Sequence, residues 1–83
     1  MIPFDGIEPN DLVEVHWVDP TTNAGWHKPS KAKLASAVTV GLVGETRDDC
    51  LVIVSGTLEG KLEGDVTAIP WGIIQEIFTF EIA

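Results

Sequence analysis

The feature that most constrains the fold is a pair of apolar segments separated by a polar turn. Residues 38–43 and 51–54 are rich in Val, Ile and Leu, and residues 45–49 between them are polar. β-Branched residues on both sides of a polar turn predict a β-hairpin. Gly41 and Gly44 interrupt the first segment, which predicts a bend or bulge in that strand.

Further strands are predicted on both sides of this hairpin. Residues 12–18 alternate between two faces, with Val13, Val15 and Trp17 on one and Glu14 and His16 on the other. This period of two is typical of a half-buried strand. Proline cannot donate to a strand ladder, so Pro20 is expected to end it.

The C-terminal third predicts two more strands with a tight break between them. Residues 66–69 form a short apolar segment, Pro70 follows, and Trp71-Gly72 predicts one turn of 3₁₀ helix. The last strand is predicted over residues 74–82. Five short strands around one core predict a single all-β domain over residues 1–83, with residues 1–11 as an irregular lead-in. The predicted architecture is a small, strongly bent five-stranded antiparallel barrel, because closure hides the strand edges.

The chain is short, and this limits what can stabilise it. Eighty-three residues bury only about 60% of the unfolded surface. A single cysteine excludes an internal disulfide, and one cysteine with two histidines makes a structural zinc site a poor prediction. No metal or cofactor is therefore predicted, and self-association is the remaining way to supplement a thin core.

The charge is strongly acidic, with a net value of −8 from thirteen acidic and five basic residues. Such a surface disfavours non-specific binding to nucleic acid. No apolar run approaches the ~18 residues of a membrane span, and the first residues do not resemble a signal peptide. An unpaired cysteine fits a reducing compartment, so a cytoplasmic location is expected.

Three segments follow one another in a recognisable order: Val-Glu-Val-His-Trp-Val-Asp over residues 13–19, residues 40–54, and Gly-Asp-Val-Thr-Ala-Ile-Pro-Trp-Gly-Ile-Ile-Gln-Glu-Ile over residues 64–77. In this order they resemble a family of small, uncharacterised marine and cyanophage-type proteins with an Sm-like (SH3-like) barrel. A phage-encoded member is expected in the host cytoplasm. Together the resemblance covers roughly residues 12–77. It implies a five-stranded barrel that assembles into homo-oligomeric rings.

The same resemblance does not extend to an RNA-base pocket. Sm proteins place an asparagine after the first hairpin turn and an arginine-glycine pair in the late motif. Here the turn is Asp48-Asp49-Cys50 and the late motif is Ile69-Pro70-Trp71-Gly72. Because the asparagine and the arginine are both missing, the pocket is not carried over to this chain.

One connection carries a candidate contact for nucleic acid. The long segment 21–35 contains three of the five basic residues within six positions, next to an aromatic and a histidine: Trp26, His27, Lys28, Lys31 and Lys33. A tryptophan stacks on bases and lysines meet phosphates, so this loop is a candidate site for RNA or single-stranded DNA. The alternative is a solvated loop whose tryptophan caps one mouth of the barrel.

A second candidate surface is a subunit interface. The last strand has apolar side chains on both faces, so it is either buried or paired with a neighbouring subunit. The residues predicted at such an interface are Val66, Ile69, Phe78 and Phe80.

The remaining reactive residues predict structure rather than catalysis. Cys50 follows two aspartates, which raise a thiol pKa, and is expected to be packed. Trp71 is expected to plug one end of the barrel, and His16 to pair with Glu14 at the surface. No catalytic residues are predicted. The sequence predicts a non-enzymatic, oligomeric binding module, either for nucleic acid or, as the alternative, for protein assembly of a phage type.

Overall fold

The computed structural model of the protein describes residues 4–20, 25–31 and 33–80. Over these residues the chain forms seven strands and two short 3₁₀ turns, Pro29–Lys31 and Trp71–Ile73. The strands are β1 (Leu12–Pro20), β2 (Leu34–Thr46), β3 (Cys50–Val54), β4 (Thr57–Leu58), β5 (Lys61–Leu62), β6 (Val66–Pro70) and β7 (Ile74–Phe80). The prediction of an all-β chain is therefore confirmed.

Five of the described strands form one antiparallel sheet in the order β6-β3-β2-β1-β7. The predicted hairpin is β2–β3, and its polar turn is closed by a bond from the Arg47 amide to the Cys50 carbonyl of 2.9 Å. The predicted bulge is confirmed, because the β2–β3 register shifts between Val43 and Glu45, at Gly44. The last strand is found from Ile74 to Phe80, and residues 81–83 lie outside the described part of the chain.

Chain connectivity forces this sheet to bend strongly. Its edge strands, β6 and β7, are consecutive in the chain, and only the turn Trp71–Ile73 joins Pro70 to Ile74. In a flat sheet the outermost of five strands lie ~19 Å apart. Four residues of extended chain span at most about 14 Å. The sheet therefore curls toward the turn, although β6 and β7 make no backbone pairing with each other among the described residues.

The hydrophobic core fills the concave side of this bend. It contains Val13, Val15, Val43, Leu51, Ile53, Ile69, Trp71 and Ile74. Val13 and Val15 are on the face predicted from their alternation, and both are completely buried. Gly41 lies opposite Val13, and it lacks a side chain because β3 passes so close that a Cβ would lie 2.5 Å from Ile53 Cγ2. All five residues of β3 are buried, as the continuous apolar run predicts.

The first strands are longer than predicted, and they project from the rest of the molecule. β1 and β2 stay paired from Leu12↔Leu42 to Pro20↔Leu34, whereas β7 reaches only Trp17 on β1 and β3 only Leu42 on β2. The projecting ends, Val18–Pro20 and residues 34–37, are called the arm below. The 13 residues of β2 extend about 43 Å, which accounts for most of the 50 Å long axis of the molecule.

Candidate interaction surfaces

The convex side of the sheet, called the outer face below, presents an apolar row that crosses five strands. Residues directly opposite each other in antiparallel strands share a face. The register therefore aligns one residue from each strand, in the order Val66, Val54, Leu42, Leu12 and Phe80. The row begins and ends on edge strands, where Val66 is 66% exposed and Phe80 is 46% exposed, whereas Val54 in its middle is only 6% exposed.

Two further rows extend the outer face toward the arm. Val40, Glu14 and Phe78 form the second row, and Val38, His16 and Glu76 form the third. Val38, Val40 and Phe78 are all exposed. Exposed apolar side chains that group on one face of a protein often belong to an interaction surface, which makes the outer face the candidate surface here.

A polar pair lies in the middle of this apolar surface. Nε2 of His16 is 2.7 Å from Oε2 of Glu14, and both side chains are about one third exposed. The His16 ring also contacts the edge of Phe78, with centroids 5.2 Å apart. The predicted surface pairing of His16 with Glu14 is confirmed. No group of three metal-ligating side chains is present among the described residues.

The residues predicted at a subunit interface differ in burial, and only three of the four are exposed. Val66, Phe78 and Phe80 all lie exposed on the outer face. Ile69 is only 2% exposed and its side chain packs in the core. Side chains alternate along a strand, so the parity that exposes Val66 turns Ile69 inward. Ile69 is therefore not available to a partner, and the sequence reasoning missed Val38, Val40, Leu12 and Leu42, which share the outer face with the other three.

The candidate nucleic-acid loop lies at the tip of the arm. Trp26, His27, Lys28 and Lys33 are all exposed, and the Trp26 side chain is fully so. Lys31 ends the turn Pro29–Lys31, and its side chain is outside the described part of the chain. The interpretation that Trp26 caps a barrel mouth is wrong, since the residue covers no part of the core.

The other candidates are structural, as the sequence predicts. Trp71 is buried in the core, stacks at 5.8 Å on Phe4, and donates from its indole to the Arg47 carbonyl. Cys50 is buried and unpaired. Burial in the first place, and then the neighbouring Asp49 carboxylate, raise the pKa of the Cys50 thiol. A thiol that resists ionisation is a poor nucleophile.

One apolar pocket of about 340 Å³ lies where the base of the arm meets the turn Trp71–Ile73. Its lining residues are Val18, Pro20, Leu34, Gly72, Ile73, Ile74 and Gln75. None of these side chains titrates, so the pocket holds no general acid, base or nucleophile. None of the described helical segments is long and apolar enough to cross a membrane.

Comparisons with family models, with curated proteins and with solved structures found no match to this chain. The resemblance to Sm-like phage-type proteins therefore stays a prediction.

Proposed function

We propose that this protein is a non-enzymatic binding module that works as a homo-oligomer, with the outer face as its contact surface. The observation that carries the proposal is the group of exposed apolar side chains on this face, which are Val38, Val40, Val66, Phe78 and Phe80. A contact surface that reaches both edges suits repeated association of identical copies.

We also propose that the bent five-stranded sheet belongs to a small barrel of the Sm-like or SH3-like kind. Two features support it: the last strand, β7, pairs with the first, β1, and only three residues separate β6 from β7. Both features bring the two edges of a five-stranded sheet toward each other. Ring assembly through those edges is the form of association that the sequence resemblance implies.

A second copy is favoured as the partner because the monomer leaves so much apolar surface in water. A chain of this length has a thin core, and oligomerisation is a common supplement when disulfides and structural metals are lacking. The hydrogen-bonded Glu14–His16 pair lies among the exposed apolar residues of the outer face and adds polar groups to it. Interfaces commonly combine such apolar anchors with a few polar contacts. The alternative partner, a basic protein attracted by the net charge of −8, is an outcome of the test below.

Light scattering coupled to size exclusion tests the proposal. The wild-type protein is expected to elute as a multiple of 9.0 kDa at micromolar concentration. The double variant Phe78→Ser/Phe80→Ser is expected to shift toward the monomer. Thr79→Ser is the matched control, because Thr79 lies exposed between them on the opposite face of β7. A wild-type monomer, or a double variant of unchanged mass, overturns the outer-face contact. A monomer that captures a basic protein supports the alternative.

Nucleic-acid binding by the tip of the arm is the second candidate function. The observation that favours it is the full exposure of Trp26 next to the exposed Lys28, since a base stacks on such a ring while an ammonium group meets the phosphate. The net charge of −8 opposes it at long range.

Retention of oligo-U and of single-stranded DNA at low and high salt tests this second candidate. Binding that weakens with salt and is lost in Trp26→Ala and in the Lys28/Lys31/Lys33 triple alanine variant supports it. Lys61→Ala, on the separate two-stranded hairpin β4–β5, is the control and is expected to bind like wild type. Absence of binding at low salt excludes this function.

A further inference from the structure

Among the described residues, a long stretch of the central strand β2 has a neighbouring strand on one side only. β2 is 13 residues long, and β3 pairs with it only from Leu42 onward. The preceding residues, 34–41, pair with β1 on one side. On the other side they pair with no strand among the described residues. These eight residues are called the free edge of β2 below.

The backbone groups that the free edge presents can be assigned. The Val43 amide donates to the Asp11 carbonyl at 2.8 Å, and the Val43 carbonyl accepts from the Asn10 amide at 2.8 Å. Val43 therefore points its polar groups toward the β1 side. Polar groups alternate sides along an antiparallel strand. Those of Leu34, Ser36, Val38 and Val40 consequently point away from β1, toward the unoccupied side.

The free edge of β2 lacks the features that usually prevent exposed strand edges from pairing with another chain. Natural proteins protect exposed strand edges with charged residues, prolines, bulges or short length. β6 is short and ends in Pro70, and β7 carries Glu76. The free edge of β2 reads Leu-Ala-Ser-Ala-Val-Thr-Val-Gly, with no charge and no proline. Val38 and Val40 are 55% and 56% exposed. An edge of this composition favours pairing with another strand.

We propose that two copies of the protein pair antiparallel through the free edge of β2, across a twofold axis at Ala37. In this register Leu34 lies opposite Val40 of the second copy, and Ser36 lies opposite Val38. The amide and the carbonyl of Leu34, Ser36, Val38 and Val40 then bond to the second copy. The twofold axis gives four such residue pairs with two hydrogen bonds each, which makes eight backbone hydrogen bonds. The sheets of the two copies join with their outer faces on the same side. The inference rests on the proposed homo-oligomeric function and adds a contact separate from Phe78 and Phe80.

Charge complementarity selects a second copy as the occupant. The antiparallel register brings the arm tip of one copy, with Lys28 and Lys33, to the Gly41 end of the other. Gly41 lies against the Val54 carbonyl, which is 2.9 Å from the position of an added Cβ. The following residues, Ser55 and Gly56, are bonded to the acidic segment that contains Glu63 and Asp65. A basic tip thus meets an acidic turn twice in the pair, although each chain has a net charge of −8.

Disulfide trapping tests the register directly. In a Cys50→Ala background, Ala37→Cys places two thiols in a non-hydrogen-bonded pair on the axis. The Cα atoms of such a pair are ~4.5 Å apart, within the range for a disulfide. Ala35→Cys is the matched control, since it shares the strand and the face, but its two copies are ~14 Å apart along the strands. A covalent dimer from Ala37→Cys alone supports the proposal. A folded Ala37→Cys protein without a dimer, or equal trapping at both positions, overturns it.

A charged substitution on the free edge of β2 distinguishes the edge contact from the outer-face contact. In the Ala37→Cys background, adding Val38→Lys is expected to reduce covalent dimer at least tenfold and to leave circular dichroism unchanged, because Val38 is exposed. Adding Phe78→Ser/Phe80→Ser instead is expected to leave the trapping intact. If only the phenylalanine changes lower the mass and trapping is absent, the outer-face contact stands and the edge contact fails. Trapping that persists with the phenylalanine changes supports the edge contact alone.

Discussion

The indole Nε1 of Trp71 donates a 2.7 Å hydrogen bond to the carbonyl oxygen of Arg47, 24 residues earlier in the chain. The backbone amide of Trp71 donates a 3.3 Å hydrogen bond to the carbonyl oxygen of Asp49, which lies in the same β2–β3 turn as Arg47. The two bonds attach the β2–β3 turn to the start of the 3₁₀ turn Trp71–Ile73. Trp71 therefore connects the hairpin turn to the segment that joins the two edge strands, with one bond from its side chain and one from its backbone.

Replacing this tryptophan should separate its packing from its hydrogen bond. Trp71→Phe keeps a ring in the core but leaves the Arg47 carbonyl without its donor, and is expected to lower the free energy of unfolding by at least ~1 kcal/mol. Trp71→Ala also opens a cavity and should cost about 3–5 kcal/mol. Urea unfolding measures both. Trp26→Ala is the control and should lie within about 0.5 kcal/mol of wild type, because Trp26 is fully exposed. Equal effects of Trp71→Ala and Trp26→Ala would contradict this arrangement.

Gly41 should be intolerant of any side chain. An added Cβ would lie 2.5 Å from Ile53 Cγ2 and 2.9 Å from the Val54 carbonyl oxygen, and the latter is backbone that cannot move aside cheaply. Gly41→Ala is therefore expected to destabilise the protein by about 1–3 kcal/mol, measured by thermal or urea unfolding. Gly72→Ala makes no such contact within 4 Å and should be close to neutral. A neutral Gly41→Ala would mean that β3 does not approach β2 this closely.

The strand pattern of the central sheet was predictable because its residues have strong local preferences. Val13 and Val15 alternate with polar neighbours, and residues 51–54 are continuously apolar, so both strands and their buried faces follow from the sequence. The arm was not predictable in this way. Residues 34–37 read Leu-Ala-Ser-Ala, which has a weak strand preference, and they are extended because β1 pairs with them as far as Pro20. Tertiary pairing overrides local preference here.

The candidate surfaces were predictable only in part, for a related reason. The sequence identifies Phe78 and Phe80 as apolar residues on one side of a strand, but register decides which other strands place residues beside them. The composition of the outer face depends on this register, which places Leu12 opposite both Leu42 and Phe80. The strands of the hairpin β4–β5 have two residues each, which is too short to show an alternating pattern. The two central residues of this hairpin, Glu59 and Gly60, both have positive φ, as in a type I′ turn, and Glu is not among the residues that usually mark one.

Cys50 should make stability depend on pH in the alkaline range. Its pKa is raised in the folded chain, first by burial and then by Asp49. As pH rises, the unfolded chain therefore loses the thiol proton first, at its ordinary pKa of about 8.5. The contribution of the Cys50 thiol to the free energy of unfolding is fully present below that pH and is lost as pH rises through the higher pKa of the folded state. The difference in unfolding free energy between wild type and Cys50→Ala, measured from pH 7 to 10, should shrink with pH. A difference that does not change with pH would show that the thiol is not perturbed.

The bond between Trp17 and Thr39 should contribute to the rigidity of the arm. Nε1 of Trp17 donates to Oγ1 of Thr39 at 2.9 Å, across the β1–β2 pair at the point where the arm leaves the sheet. Thr39→Val keeps the shape but removes the acceptor, and is expected to cost about 0.5–1.5 kcal/mol. Amide exchange at Ala35 and Ala37, whose polar groups point toward β1, should accelerate more than exchange in β3, because β3 is buried and held by strands on both sides. Thr79→Val is the matched control, since Thr79 shares the face on β7 but is exposed. If both variants change exchange in the arm equally, the bond does not hold it.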